Sequence, residues 1–110
     1  MDDIFHIALP DDWAQARAAG VVTDSTRGVT LADEGYIHCS FAGQLAATAA
    51  RFYGDLDEVV VLRIAAASLG DSLVVEDLVG SGEPFPHVYG PIPLSAVLEA
   101  RRVDPRDPDF

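Results

Sequence analysis

The spacing of apolar and polar positions changes several times along this 110-residue chain, and each change marks an element. "DIFHIAL" (3–9) is a short apolar run suited to a buried first strand. "PDDWAQARAAG" (10–20) opens on acidic residues, continues in alanines and stops at Gly20, which predicts a helix. Its core side would carry Trp13, Ala16 and Ala19 or Gly20. "VVTDSTRGVTLADEG" (21–35) mixes Thr, Asp, Ser and Gly and reads as a loop with one brief turn. "GYIHC" is strand-like. Ser40 stands where it could cap a helix from Phe41 to about Tyr53, with Phe41, Leu45, Ala49 and Phe52 as the buried stripe.

The second half is richer in strands. "EVVVLRI" (58–64) is nearly continuous in β-branched residues, the pattern of a central strand covered on both faces. "SLVVEDL" (72–78) is a further strand. "VGSGEPFPHVYGPIP" reads as a Gly/Pro-punctuated loop with a short extended piece, because each proline holds its predecessor extended. "LSAVLEARRV" closes the domain as a helical turn or a last strand. Strand, helix, loop, strand, helix and then strands alone predict an α+β fold: one domain over 1–103 with a small split mixed sheet and two main helices. Residues 104–110 alternate Pro with Asp and Arg and are expected to form a frayed tail. No Gly-rich phosphate loop follows the first strand, which argues against a doubly wound nucleotide fold.

Charge narrows the partners. The net charge is −11, which disfavours nucleic acid and anionic membranes. All seven cationic residues are arginine, so lysine Schiff-base chemistry and a phosphate-loop lysine are excluded. A single cysteine leaves no internal disulfide, and no apolar run reaches membrane-spanning length. A reducing cytoplasm is the expected location.

The chemistry-bearing residues gather in a few places. In an extended "EGYIHCS" (34–40), Tyr36, His38 and Ser40 share one side while Ile37 and Cys39 take the other. His38 and Cys39 therefore cannot form a dyad, and Cys39 reads as a small buried hydrophobe. His6 lies in "FHI", where a structural role competes with a functional one. His87 in "FPHVYG" shares its face with Phe85 and Tyr89, stiffened by flanking prolines. Three histidines raise a three-His metal site, but no two have the close spacing of a ligand pair, so no metal is assigned and the metal-dependent enzyme stays a third alternative. Ser40 lacks the glycine-flanked elbow of a hydrolase nucleophile. Arg27 or Arg51 could hold one small anion.

"IFHIA", the tryptophan and "AAG" of the first helix, "EGYIHCS", Gln44 and "FPHVYGPIP" together resemble the bacterial domain-of-unknown-function family 952, over about Ile4 to Val97. More distantly the pattern is similar to the ADP-ribosyltransferase and RNA 2′-phosphotransferase fold, a split sheet that holds NAD in a cleft. That resemblance implies that His6, on the first strand, contacts ribose or phosphate, that His38 is the second-strand residue, and that Tyr36 is an aromatic partner. Ser40, His87, Tyr89 and Arg27 would then complete the ligand contacts. Members of that fold also place a glutamate or arginine on a later strand; "FPHVYGPIP" holds neither, and Glu76 and Glu83 lie outside the matching position. The implied function is a histidine-lined cleft that binds or processes NAD, ADP-ribose or a related nucleotide, as a transferase if it is an enzyme. The alternative is a non-catalytic module binding a small ligand or a protein.

Overall fold

The computed structural model describes residues 3–107. Strand β1 (Ile4–Ala8) leads into helix α1 (Pro10–Ala19), which has Pro10 in its first turn, Asp11 and Asp12 near its positive end, and Gly20 at φ 87° closing it. Ala16 is buried and Trp13 packs against the core, whereas Ala19 and Gly20, expected on the core side, are exposed. The stretch expected to be a loop is instead structured. It contains β2 (Val21–Val22), β3 (Asp24–Thr26), β4 (Val29–Thr30) and the one-turn helix α2 (Leu31–Glu34). These pieces were hidden from sequence because each is only two to four residues long, and β2 finds its partner, residues 92–93, far along the chain.

Gly35 ends α2 at φ 94°, a left-handed turn that only glycine adopts without strain, and aims the chain into β5 (Ile37–His38). Helix α3 (Ala42–Tyr53) follows. Ser40 does not cap it. Its backbone is paired instead with Phe5, through N–H to carbonyl bonds of 2.7 and 2.8 Å. Phe41 holds the cap position, and the Gln44 Oε1 accepts its N–H at 3.0 Å. The buried stripe of α3 is Leu45, Ala49 and Tyr53; Phe52, expected inside, is 54% exposed.

Strand β6 (Val59–Ile64) lies between β1 and β10 (Val97–Val103), antiparallel to both. Its alternation sorts the core. Val60, Leu62 and Ile64 pack with Ile4, Ala16 and Val22 on one face, while Val59 and Val61 pack with Leu45, Ala49 and Tyr53 on the other. This is the doubly covered central strand that its β-branched run predicted. A second sheet has the order β5, β8 (Phe85–Val88), β7 (Leu73–Glu76), and β9 (Ile92–Pro93) pairs with β2. The segment read as a loop around "PFPHV" is therefore the middle strand of a sheet. Each described strand pair is antiparallel, so the mixed sheet expected from sequence is replaced by small antiparallel ones. "LSAVLEARRV" supplies both alternatives in turn, a short 3-10 turn (Leu94–Ala96) and then β10.

The two three-stranded sheets meet at a single bridge, Phe5 to Ser40. From Asp104 the chain makes a turn with Pro105 buried and Arg106 bonded to Asp104 and Asp57; residues 108–110 of the segment expected to fray lie outside the described residues.

Candidate functional site

A cleft of about 510 Å³ opens beside the junction of the two sheets, with Phe5 and Ser40 among its lining. One wall comes from β1 and α3, with Phe5, Ile7, Thr48, Arg51 and Phe52; the other comes from the β5–β8–β7 sheet and the loop after β7. The register of the second sheet decides which side chains converge. His38 lies directly opposite His87, and Glu76 opposite Phe85, so all four project from one face. The ring centroids of His38 and His87 are 5.6 Å apart. Tyr36 stacks on His87 at 4.2 Å and meets His38 edge-on at 4.9 Å, and Tyr89 lies 5.4 Å from Tyr36.

Carboxylates fix these rings. Glu76 accepts a hydrogen bond from His87 Nδ1 at 2.8 Å and another from the Tyr89 hydroxyl. A His87 that donates from Nδ1 keeps Nε2 as the atom with a free lone pair when the ring is neutral. The two bonds, Tyr89 first, hold the Glu76 pKa below its ordinary value, and the same carboxylate pushes that of Tyr89 up. Glu34 is 3.3 Å from His38 Nε2. Burial lowers the His38 pKa and outweighs Glu34, which acts in the opposite direction; the charges of His87 and His6 add to the lowering. Burial, then Glu34, push the Tyr36 hydroxyl up to about 12, so it remains a donor across the physiological range.

Ser40 is 4% exposed and lines the cleft. Cys39 is buried and packs in the core cluster with Ile37 and Leu62, as a small hydrophobe would, but it also lines the cleft beside Ser40 instead of lying wholly on the opposite face.

His6 is elsewhere. Its ring is 1% exposed, behind the cleft wall, with Nδ1 on the His38 carbonyl at 2.7 Å and Nε2 on Asp24 at 2.8 Å. Both partners accept, so both ring nitrogens donate and the ring is an imidazolium. Burial by itself would lower its pKa, but the Asp24 and Cys39 side chains overcome that and hold it well above the ordinary value; Asp24 is held low despite its own burial. The expected meeting of His6 and His38 across a hollow is thus replaced by His38 with His87, while His6 supports the backbone of His38. Nor do three histidines converge on a metal: among the described residues no group of three His, Cys, Asp or Glu side chains is placed to hold one. Arg27 is also off the cleft, paired with Asp55 at 2.6 Å and bonded to the Phe52 carbonyl. Arg51 lines the cleft instead, over the Phe52 ring at 5.1 Å.

Asp24, as the partner of His6, had no signal in the sequence, since it lies in what reads as a loop. Glu76 had a weak one. "VVE" and "FPHVY" both carry period-two patterns, but their mutual register is set only by pairing. Gln44 links the walls, donating to the Pro84 carbonyl at 2.8 Å and to Glu83 at 3.3 Å.

The family described as "Protein of unknown function (DUF952)" matches residues 7–100. The crystal structure of protein CC0527 from Caulobacter crescentus is similar at 36% identity and a TM-score of 0.78, over 93% of this chain and 84% of that one. The solution NMR structure of CC0527 is similar at 35% identity and a TM-score of 0.74, over 94% of this chain and 84% of that one. No curated protein sequence matches the chain.

Proposed function

The chain belongs to the DUF952 family, and from that premise we propose that the cleft between its two sheets binds NAD, ADP-ribose or a related nucleotide. The observation that carries this reading is the convergence of Tyr36, His38 and His87 on one cleft of about 510 Å³. Flat rings packed at a cleft mouth match a heteroaromatic ring, and the volume lies within the range of small-molecule sites. Ser40 offers a hydroxyl to a sugar hydroxyl or an amide, and Arg51 offers a cation to a phosphate. The meeting of two sheets at one bridge also agrees with the split sheet of the ADP-ribosyltransferase-like fold. A transferase reaction at this site would use Glu76 and the Glu76-oriented His87 to stabilise a cationic ribose. The lone buried thiol suits a cytoplasmic setting.

Isothermal titration of the full chain with NAD and with ADP-ribose tests the proposal. Binding is expected for the wild type, and Tyr36→Ala and His87→Ala are expected to weaken it at least tenfold while Arg27→Ala leaves it unchanged. No heat with either nucleotide at millimolar concentration overturns it. A second reading, a protein-binding module, draws on one feature: Val75, Leu78 and Val79 stand exposed on and just beyond β7, Val79 by 86%. A partner retained by the wild type and lost on Val79→Asp, with no nucleotide binding, would favour it.

A further inference from the structure

His38 and His87 stand directly opposite each other on paired strands, their ring centroids 5.6 Å apart, and both line the cleft. Each ring is held at one nitrogen by a carboxylate. Glu76 takes His87 Nδ1 at 2.8 Å, which leaves Nε2, and Glu34 lies 3.3 Å from His38 Nε2, which leaves Nδ1. The cleft therefore contains two oriented imidazoles, each with a nitrogen not engaged by its carboxylate. Such a pair can give one proton and take another in a single step. The two surroundings differ. Burial lowers the His38 pKa, which suits a base at neutral pH, whereas the Glu76 carboxylate lies against His87 as counter-ion to a proton on that ring.

The need for both transfers narrows the reaction. Nicotinamide leaves NAD as a neutral molecule and asks for no proton. Breaking a bond from phosphorus to a ribose oxygen asks for two transfers, because the departing alkoxide must gain a proton while the attacking water loses one. Charge narrows the substrate. Arg51 is the one guanidinium lining the cleft among the described residues, and the chain carries a net charge of −11, which disfavours RNA and other polyanions. A cyclic phosphodiester on a single nucleotide carries one negative charge, and a site of about 510 Å³ lies within the range of small-molecule clefts.

Resting on the nucleotide reading above, we infer that the cleft hydrolyses the 2′,3′-cyclic phosphodiester of a mononucleotide, with His38 as general base and His87 as general acid. The oxygen of a water molecule bonds to phosphorus and its proton passes to His38. The bond from phosphorus to one ribose oxygen breaks, the electron pair stays on that oxygen, and His87 protonates it. The product is a nucleoside monophosphate, and exchange with solvent returns both rings to their starting states. Phosphorus NMR of the full chain with adenosine 2′,3′-cyclic phosphate tests this. The wild type is expected to replace the cyclic diester signal by that of a monoester. His87→Asn, which keeps a donor toward Glu76, and His38→Gln, which keeps one toward Glu34, are each expected to slow turnover at saturating substrate by about a hundredfold or more, while Arg27→Ala leaves it unchanged. A wild-type rate no faster than that in buffer overturns the inference whatever the stability of the variants, and so does either histidine variant working at the wild-type rate. If NAD or ADP-ribose still gives heat in those cases, only this inference falls; with no heat from either, the nucleotide reading falls as well.

Discussion

Asp24→Ala isolates the buried ion pair behind the cleft. His6 is 1% exposed and Asp24 15%, and the pair ties β1 to β3 while the other ring nitrogen holds the carbonyl of His38. Removing the carboxylate leaves the imidazole two options, to stay charged without a counter-ion or to shed its proton. A buried charge stripped of its partner costs about 3–5 kcal/mol, so deprotonation prevails where it costs less. At pH 7.5 the unfolded histidine is already mostly neutral, with a reference value of about 6.5, and the remaining loss is that of an unsatisfied nitrogen, about 1–3 kcal/mol. At pH 5 the unfolded chain holds the proton that the variant must release on folding, which adds about 1.4 kcal/mol for each unit below 6.5, or about 2 kcal/mol. In the wild type the raised His6 pKa contributes stability that is complete below about 6.5 and lost as the pH rises through the folded value. Asp24, held low, contributes stability above about 3.8 that is lost as the pH falls through its folded value. The difference between variant and wild type should therefore be larger at pH 5, at about 3–5 kcal/mol, than at pH 7.5. Urea unfolding followed by circular dichroism at the two pH values measures it, and a loss of about 4 kcal/mol corresponds to a thermal midpoint lowered by roughly 16 °C for a domain of this size. A deficit equal at both pH values, or below about 1 kcal/mol at pH 5, would refute the assignment of His6 as a buried imidazolium.

The proton affinity of His38 is lowered by burial, so its ring resonances in NMR are expected to titrate below pH 6.5, and because its folded value is the lower one, this group makes stability rise with pH through that interval; titration above 6.5 would contradict the geometry around Glu34. Gln44→Ala removes the acceptor for the Phe41 N–H at the cap of α3 and the donor to Pro84, and should cost about 1 kcal/mol in urea unfolding, with Gln44→Glu restoring the cap but not the donor. An unchanged stability for the alanine variant would count against the link between the walls.

Local pattern carried the parts of this fold that local physics controls. The alanine-rich helix with its acidic start, the α3 segment and the β-branched 59–64 run are each long enough for side-chain period to specify the element and most of its buried face. The same period placed Tyr36, His38 and Ser40 on one side and associated His87 with Phe85; Cys39, expected on the other side, also lines the cleft. It could not find the strands between 21 and 30, because runs of two or three residues have no period of their own. It gave the wrong residue for the end of the α3 stripe, since Phe52 and Tyr53 are neighbours on the helix and only the packing under β6 decides which is covered.

The sequence by itself determined an acidic, lysine-free α+β domain with its polar chemistry concentrated in "EGYIHCS" and "FPHVYG". Tertiary structure alone decided how that chemistry is divided. Antiparallel pairing put His38 against His87 and brought Glu76 beneath both His87 and Tyr89, whereas a slip of one residue would have turned those side chains to the opposite face. The same folding buried His6 with Asp24, eighteen positions further along the chain. The physical reason is range: period is fixed by each residue's near neighbours, but register, and with it the cleft, is fixed by strands that meet only when the whole chain has folded.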